Sequence, residues 1–200
     1  MRWPDTEVAR LIFHELAHQV LYVKDDSAFN ESFAVAVEEA GLARWLATQH
    51  NPALDAQASR AQRLRMVFRS MTRDVRSQLA TIYASNMSDA EKRAAKAQAF
   101  ADMKSDYERA KAGDVGLAGF ERWFAQEPNN ASLAALSLYS DRVPAFRVLL
   151  QEQDNDLPRF YERVRTLAAL PKAERDAVLT AAASRAPQLA GAQPTAPVQN

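Results

Sequence analysis

Hydrophobic residues recur along this chain with the spacing of helices rather than the alternation of strands. Between about Leu54 and Ala84 they return every three or four positions and form one stripe. The stripe consists of Leu64, Val67, Phe68, Met71, Val75, Leu79 and Ile82. We find no convincing alternation of apolar and polar residues, which is the mark of a half-buried strand. The pattern predicts an all-α protein with a mostly helical, bundle-like fold.

Capping residues and prolines predict where the longer helices begin and end. The first helix is expected from Thr6 to about Val23, and the second from near Ser27 to about His50. Asn51-Pro52 ends the second helix, because the residue before a proline disfavours helical geometry. Ser88-Asp89-Ala90-Glu91 has the pattern of a capping box and predicts the start of a fourth helix, which runs to about Lys111.

Shorter helical segments follow in the second half of the chain. Gly113, Gly116 and Gly119 predict a loop before a short aromatic helix, Phe120 to Phe124. Helical periodicity then returns in several segments, the last of which ends near Ser184. Residues 186–200 mix Pro, Gln, Ala, Gly and Thr, which predicts a disordered tail. We therefore expect one helical domain over residues 1–185.

Composition limits the chemistry that this domain can perform. The 25 basic residues balance the 25 acidic residues, which argues against a nucleic-acid partner. The chain has no cysteine, so a metal site would have to use His, Asp or Glu, and there are only three histidines. No apolar stretch is long enough for a membrane span, and Asp5, Glu7 and Arg10 interrupt any apolar segment of a targeting signal near the start.

The segment His14-Glu15-Leu16-Ala17-His18 holds the candidate chemistry. Residues four apart lie side by side on a helix, so His14 and His18 can bind one metal ion together. Glu15 lies about 100° further round the helix and can reach a water on that ion. The pattern therefore predicts two ligands of a zinc ion and one general base.

The remainder of the first helix is apolar over most of its circumference, which predicts that the helix is buried. Its apolar residues are Val8, Leu11, Ile12, Phe13, Leu16, Ala17, Val20 and Leu21. Buried histidines and a buried glutamate are costly unless they are paired or bind a metal. The alternative is a chance match, in which the histidines are hydrogen-bonded core residues.

A catalytic zinc ion with two histidine ligands needs a third protein ligand, and the second helix offers Glu31. Glu31 lies close to the stripe of Phe29 and Phe33, which is expected to be buried. Glu38 follows nearly two turns later and projects in almost the same direction, so it suits an acceptor for the second N–H of a ligand histidine. The alternative is that Glu31 and Glu38 are acids on the helix surface.

The segments His14-Glu15-Leu16-Ala17-His18-Gln19 and Asn30-Glu31-Ser32-Phe33-Ala34 together resemble the paired signature of gluzincin metallopeptidases, in particular of their aminopeptidase branch. The resemblance implies that His14, His18 and Glu31 are zinc ligands, that Glu15 is the general base, and that Glu38 matches a glutamate of that branch. Twelve residues separate His18 from Glu31, which is a shorter connection than in that branch. Nearly the whole chain also resembles a bacterial family of predicted aminopeptidases.

The resemblance and the motif together predict a zinc-dependent peptide hydrolase, an aminopeptidase acting on a peptide substrate. Zn²⁺ would activate a water, with Glu15 as general base. A developing oxyanion also needs a donor, and we favour Tyr139 over Tyr83 because it follows the unusual Asn129-Asn130 loop. Each tyrosine could instead be a core residue. The alternative function is a zinc-binding helical scaffold or interaction protein without turnover.

The resemblance also implies a portion upstream of this chain. Gluzincins hold the substrate against the edge strand of a sheet that precedes the zinc helix, and no such sheet is encoded here. We therefore expect the chain to be the C-terminal part of a longer protein with an upstream β-containing portion, or the product of a late start codon. Members of the resembling family often begin with an export or lipoprotein signal, which implies a periplasmic or lipoprotein-anchored protein, or otherwise a cytoplasmic one. The sequence leaves the oligomeric state open.

Overall fold

The computed structural model describes residues 3–138 and 141–190, with side chains described as far as residue 186. Every regular element in these residues is a helix and none is a strand, which confirms the predicted all-α fold. The α-helices are α1 Asp5–Val20, α2 Ser27–Gln49, α3 Pro52–Ala84, α4 Asp89–Gly113, α5 Glu121–Ala125, α6 Asn130–Leu138, α7 Val143–Gln151, α8 Leu157–Ala168 and α9 Lys172–Ala190. None of the described helices is both long enough and apolar enough to cross a membrane.

The chain divides into two compact units, of which the first contains the candidate site. This first unit comprises Met1–His50 and Leu138–Asn200, and it is built from α1, α2, α7, α8 and α9. Its core lies between α2, α7 and α8, where Phe29 meets Phe146 edge to face and Phe33 lies against Phe160. Such aromatic contacts add to the free energy gained from removing large apolar side chains from water. They give α2 a fixed position in the unit.

The prediction that α1 is buried over most of its circumference is wrong. Leu11, Ile12 and Leu16 are 41%, 51% and 54% exposed, whereas Thr6 and Ala17 are fully buried. The helix therefore packs through one face. An apolar pattern indicates that burial of a helix surface would be favourable, but it does not identify the segment that buries it. In the described part of the chain, the opposite side of α1 stays exposed.

The connection between α1 and α2 is fixed by side chains that bond to backbone. The Val23 amide donates to Asn30 Oδ1 at 2.8 Å, and Asn30 Nδ2 donates to the Val23 carbonyl oxygen at 2.7 Å. The Asp26 carboxylate accepts from the Phe29 amide and so caps the start of α2. These bonds hold Val23 outside the helix, so α1 ends at Val20 rather than near Val23. The short connection fixes the first turn of α2 beside the end of α1.

The second unit, Asn51–Ser137, has its own aromatic core. Phe68 of α3 stacks on Phe120 with ring centroids 4.4 Å apart, and Tyr107 of α4 stacks on Phe124 at 3.8 Å. The predicted capping box at the start of α4 is confirmed, since the Glu91 amide donates to Ser88 Oγ and the Ser88 amide donates to Glu91.

Two further predictions differ from the structure. The glycine segment predicted as a loop forms a 3-10 helix, Val115–Phe120, because the Asp114 carboxylate accepts from the Gly116 amide and caps it. At the other end, α9 continues past the predicted end near Ser184 to Ala190. The rest of the predicted tail, residues 191–200, lies outside the described residues.

Candidate metal centre

His14 and His18 lie side by side on α1, as their four-residue spacing predicts. Their ring centroids are 5.0 Å apart and the rings meet edge to face. Both side chains are mostly buried, with 12% and 19% of their surface exposed. Because both rings project from the same face, both can turn one nitrogen towards a common point.

Glu31 of α2 faces these two rings. Its Oε2 atom lies 3.2 Å from His14 Nε2, and its Oε1 atom lies 3.8 Å from His18 Nε2. One potential ligand atom from each of the three residues lies within 4.8 Å of the others. The structure thus brings together the residues proposed as metal ligands, although they come from two helices and are up to 17 positions apart.

The spacing of these atoms fits a tetrahedral zinc ion. With zinc–nitrogen and zinc–oxygen distances of about 2.0–2.1 Å, two ligand atoms of such an ion lie about 3.3 Å apart. Glu31 Oε2 lies 3.2 Å from His14 Nε2 and Glu31 Oε1 lies 3.8 Å from His18 Nε2, so each carboxylate oxygen is near this distance from one imidazole nitrogen. Two imidazoles and one carboxylate are also a donor set typical of catalytic zinc. The residues present therefore fit the ion.

Glu38 fixes the orientation of His14. Its Oε2 atom lies 2.9 Å from His14 Nδ1, so the other ring nitrogen, Nε2, points towards Glu31. Glu38 is only 3% exposed, so the alternative that it is a surface acid is wrong. The hydrogen bond to Glu38 is the main reason that the pKa of His14 lies above its usual value, and burial opposes the rise in part. Glu38 thus holds the ring from the side opposite Glu31.

Arg10 pairs with Glu38 and was not predicted from the sequence. Its guanidinium donates to Glu38 Oε1 at 2.9 Å through Nη1, and to Glu7 Oε2 at 3.1 Å through Nε. A sequence signal exists, because Glu7, Arg10 and His14 are spaced three and four residues apart and so share a helix face. Together with the expectation that Glu38 lies near the histidines, this spacing indicates that Arg10 is close to Glu38.

His18 lacks a comparable support. Its Nδ1 atom is buried and has no hydrogen-bond partner among the described residues. Ligand histidines usually donate their second N–H to a carboxylate, a carbonyl or a water. The two histidines therefore differ: His14 has a carboxylate at each ring nitrogen, whereas His18 has the Glu31 carboxylate near Nε2 and no hydrogen-bond partner at Nδ1 among the described residues.

Glu15 is not part of the converging group of ligand atoms, which consists of His14, His18 and Glu31 in the described residues. It is exposed on α1, on the same side as the exposed Leu11 and Leu16. This placement leaves its carboxylate accessible to solvent.

Tyr139 and Tyr83 are the candidate oxyanion donors from the sequence. Tyr139 lies outside the described residues. Tyr83 belongs to the second unit, where its hydroxyl accepts a hydrogen bond from Asn130 Nδ2 at 2.9 Å. The third histidine, His50, is exposed at the C-terminal end of α2, with a left-handed backbone. The assignment of Tyr139 as the donor stays a prediction from the sequence.

Comparisons with known proteins give the class of the chain. Neither the curated proteins nor the solved structures gave a significant match. A protein-family model described as "Putative aminopeptidase" matches residues 1–179. The matched range includes α1 and α2, and with them His14, Glu15, His18 and Glu31. The chain therefore belongs to the family described as "Putative aminopeptidase".

Proposed function

We propose that this protein is a zinc-dependent peptide hydrolase, acting as an aminopeptidase, in which His14, His18 and Glu31 hold the metal. The observation that carries the proposal is the convergence of one potential ligand atom from each of these residues within 4.8 Å. Membership of a family described as aminopeptidases supports the reaction class. Three protein ligands leave one position of a tetrahedral ion open, which is typical of catalytic rather than structural zinc.

A zinc ion in this position would polarise the scissile carbonyl and lower the pKa of a water to about 7. Glu15 then acts as the general base. It accepts a proton from the attacking water and passes it to the leaving amine, which departs as the peptide bond breaks. Its exposed position beside the ligand residue His14 suits both transfers. Glu38 holds the His14 ring throughout, through the contact at Nδ1.

Tyr139 is our candidate for the donor that stabilises the developing oxyanion. Its removal tests this role directly, because loss of one such donor lowers kcat by about 100-fold to 1000-fold in hydrolases. We expect Tyr139→Phe to lower kcat with little change in zinc content. Unchanged kcat would assign the tyrosine to the core instead.

The ligand assignment is tested by zinc content. We expect Glu31→Ala to lose zinc in elemental analysis, and Glu15→Gln to keep zinc but lose hydrolysis of aminoacyl chromogenic substrates. Glu39→Ala is the matched control, because Glu39 lies on the same helix but pairs with Arg147 at 2.6 and 2.7 Å. It should keep its zinc. Full zinc occupancy in Glu31→Ala would remove Glu31 from the ligand set.

Activity is best measured both on this chain and on a version extended by any in-frame upstream sequence. Stoichiometric zinc with hydrolysis in either version supports the proposal. Stoichiometric zinc without hydrolysis in both versions would favour the zinc-binding scaffold. A purified protein without metal affinity would contradict both functions.

A further inference from the structure

One carboxylate, that of Glu38, lies between Arg10 and the candidate metal centre. Its guanidinium lies 2.9 Å from Glu38 Oε1, and the other oxygen of the same carboxylate lies 2.9 Å from His14 Nδ1. The second ring nitrogen of His14 faces Glu31. A continuous line of contacts therefore runs from Arg10 through one carboxylate to a proposed ligand.

The carboxylate in the middle of this line needs its cationic partner. Glu38 is only 3% exposed, and a buried carboxylate without a partner carries a large desolvation cost. Loss of the partner would favour rotation of the Glu38 carboxylate towards water. This rotation would break the contact between Glu38 and the His14 ring. The guanidinium suits this role, since it stays charged and presents several donors in a fixed plane.

We propose that Arg10 is a positioning residue of the metal centre: it holds Glu38, and Glu38 holds His14 with Nε2 directed at the metal. The proposal rests on the proposed zinc function. It also explains how one histidine is held firmly although it lies on a helix that packs through a single face. Glu7 supports Arg10 in turn, because its carboxylate accepts from Arg10 Nε at 3.1 Å.

The first test measures zinc affinity in the full chain by competition with a chromogenic chelator. Loss of an outer partner of a metal ligand weakens metal binding by about 10-fold to 100-fold, so we expect Arg10→Met to raise the Kd for zinc by about 10-fold. Arg147→Met is the matched control. It removes an arginine that pairs with Glu39, the neighbour of Glu38, and it should leave the Kd unchanged.

A double-mutant cycle separates positioning from general loosening of the fold. If Arg10 acts through Glu38, Arg10→Met should weaken zinc binding in the wild-type background but add less than twofold in a Glu38→Gln background. A merely structural role predicts similar losses in both backgrounds. Arg10→Lys keeps the charge and should recover part of the affinity. Circular dichroism of the metal-free variants shows whether each one folds.

The outcomes distinguish this proposal from the proposed function. A wild-type chain that binds no zinc would contradict the function itself. Wild-type zinc affinity in a folded Arg10→Met variant would overturn the positioning role and leave the function standing. Additive losses in the double-mutant cycle would also overturn the positioning role. If Arg10→Met does not fold, Arg10→Lys and Arg10→Gln in the same cycle give the same decision.

Discussion

Asp26 and Arg175 form a buried ion pair that fastens α9 to the start of α2. Arg175 donates to Asp26 Oδ2 through Nη2 at 2.8 Å and through Nε at 3.2 Å, and the residues are 5% and 4% exposed. Asp26 Oδ1 accepts from the Phe29 amide and caps α2. Arg175 also donates to the Leu170 carbonyl at 2.8 Å. The carboxylate thus has two separable roles, a charge role and a capping role.

Two substitutions at Asp26 divide these roles. Asp26→Asn keeps an oxygen that can cap the helix but leaves the Arg175 charge buried without its counter-ion. Breaking such a pair costs about 3–5 kcal/mol, and we expect the lower end, about 3 kcal/mol, because the Leu170 carbonyl still accepts from Arg175. Asp26→Ala also removes the cap and should cost about 1 kcal/mol more. Both losses are large against the 5–15 kcal/mol that is typical of whole domains.

The free energy of unfolding is best measured by urea titration at neutral pH with a chelator present. Trp3 and Trp45 belong to the first unit, whereas Trp123 belongs to the second, so a Trp123→Phe background makes the fluorescence specific to the first unit. The double variant Asp26→Asn/Arg175→Met removes both charges and should recover most of the loss, since Met can pack near Phe29, which Arg175 approaches in the native protein. A loss below about 1 kcal/mol for Asp26→Asn, or no recovery in the double variant, would refute the assignment of a stabilising buried pair.

Three further predictions concern other contacts. Gly41→Ala would place a Cβ atom 2.6 Å from the Phe13 ring, so we expect a loss of about 1–3 kcal/mol in urea unfolding; an unchanged midpoint would mean that α1 can shift without cost. In metal-free protein the pKa of His14 is raised, chiefly by its hydrogen bond to Glu38, so the stabilisation from the charged ring is complete below about pH 6.5 and is lost as the pH rises through the raised pKa. The difference in melting temperature between the wild type and His14→Gln, measured with chelator present, should therefore decrease from pH 6 to pH 8. An increase over this range would contradict the reasoning. Ser88→Ala should cost the second unit about 1 kcal/mol in urea unfolding, whereas a cost near zero would show that the capping box adds nothing.

The candidate site could be predicted from the sequence where its geometry is local to one helix. The relation of His14 to His18 follows from helical spacing alone, and the structure has their rings 5.0 Å apart. Glu31 is predicted from its place close to the Phe29 and Phe33 stripe, Glu38 from its offset of nearly two turns, and both from the family resemblance, but helical spacing within α2 does not say which helix face meets the histidines. Packing decided this. It placed Glu31 near both imidazoles and buried Glu38 against His14.

Arg10 shows the limit of prediction by motif. A basic residue in a polar position of a helix is ordinarily a solvated side chain, and only the burial of its partner makes it notable. Its partner, Glu38, is 28 positions away in the sequence. The spacing of Glu7, Arg10 and His14 places Arg10 on the histidine face of its helix, but no local pattern identifies its partner at that distance.

By itself, the sequence determined the helical class, most helix boundaries and the pairing of two histidines, because each depends on interactions within a few residues. Tertiary structure decided which apolar surfaces are covered, as the exposed side of α1 demonstrates. It also decided the end of α1, where Asn30 bonds to the Val23 backbone from across the turn. The physical reason is the same in each case: hydrophobic and hydrogen-bonding preferences are properties of the residue, but the partner that satisfies them is set by the packing of the whole unit.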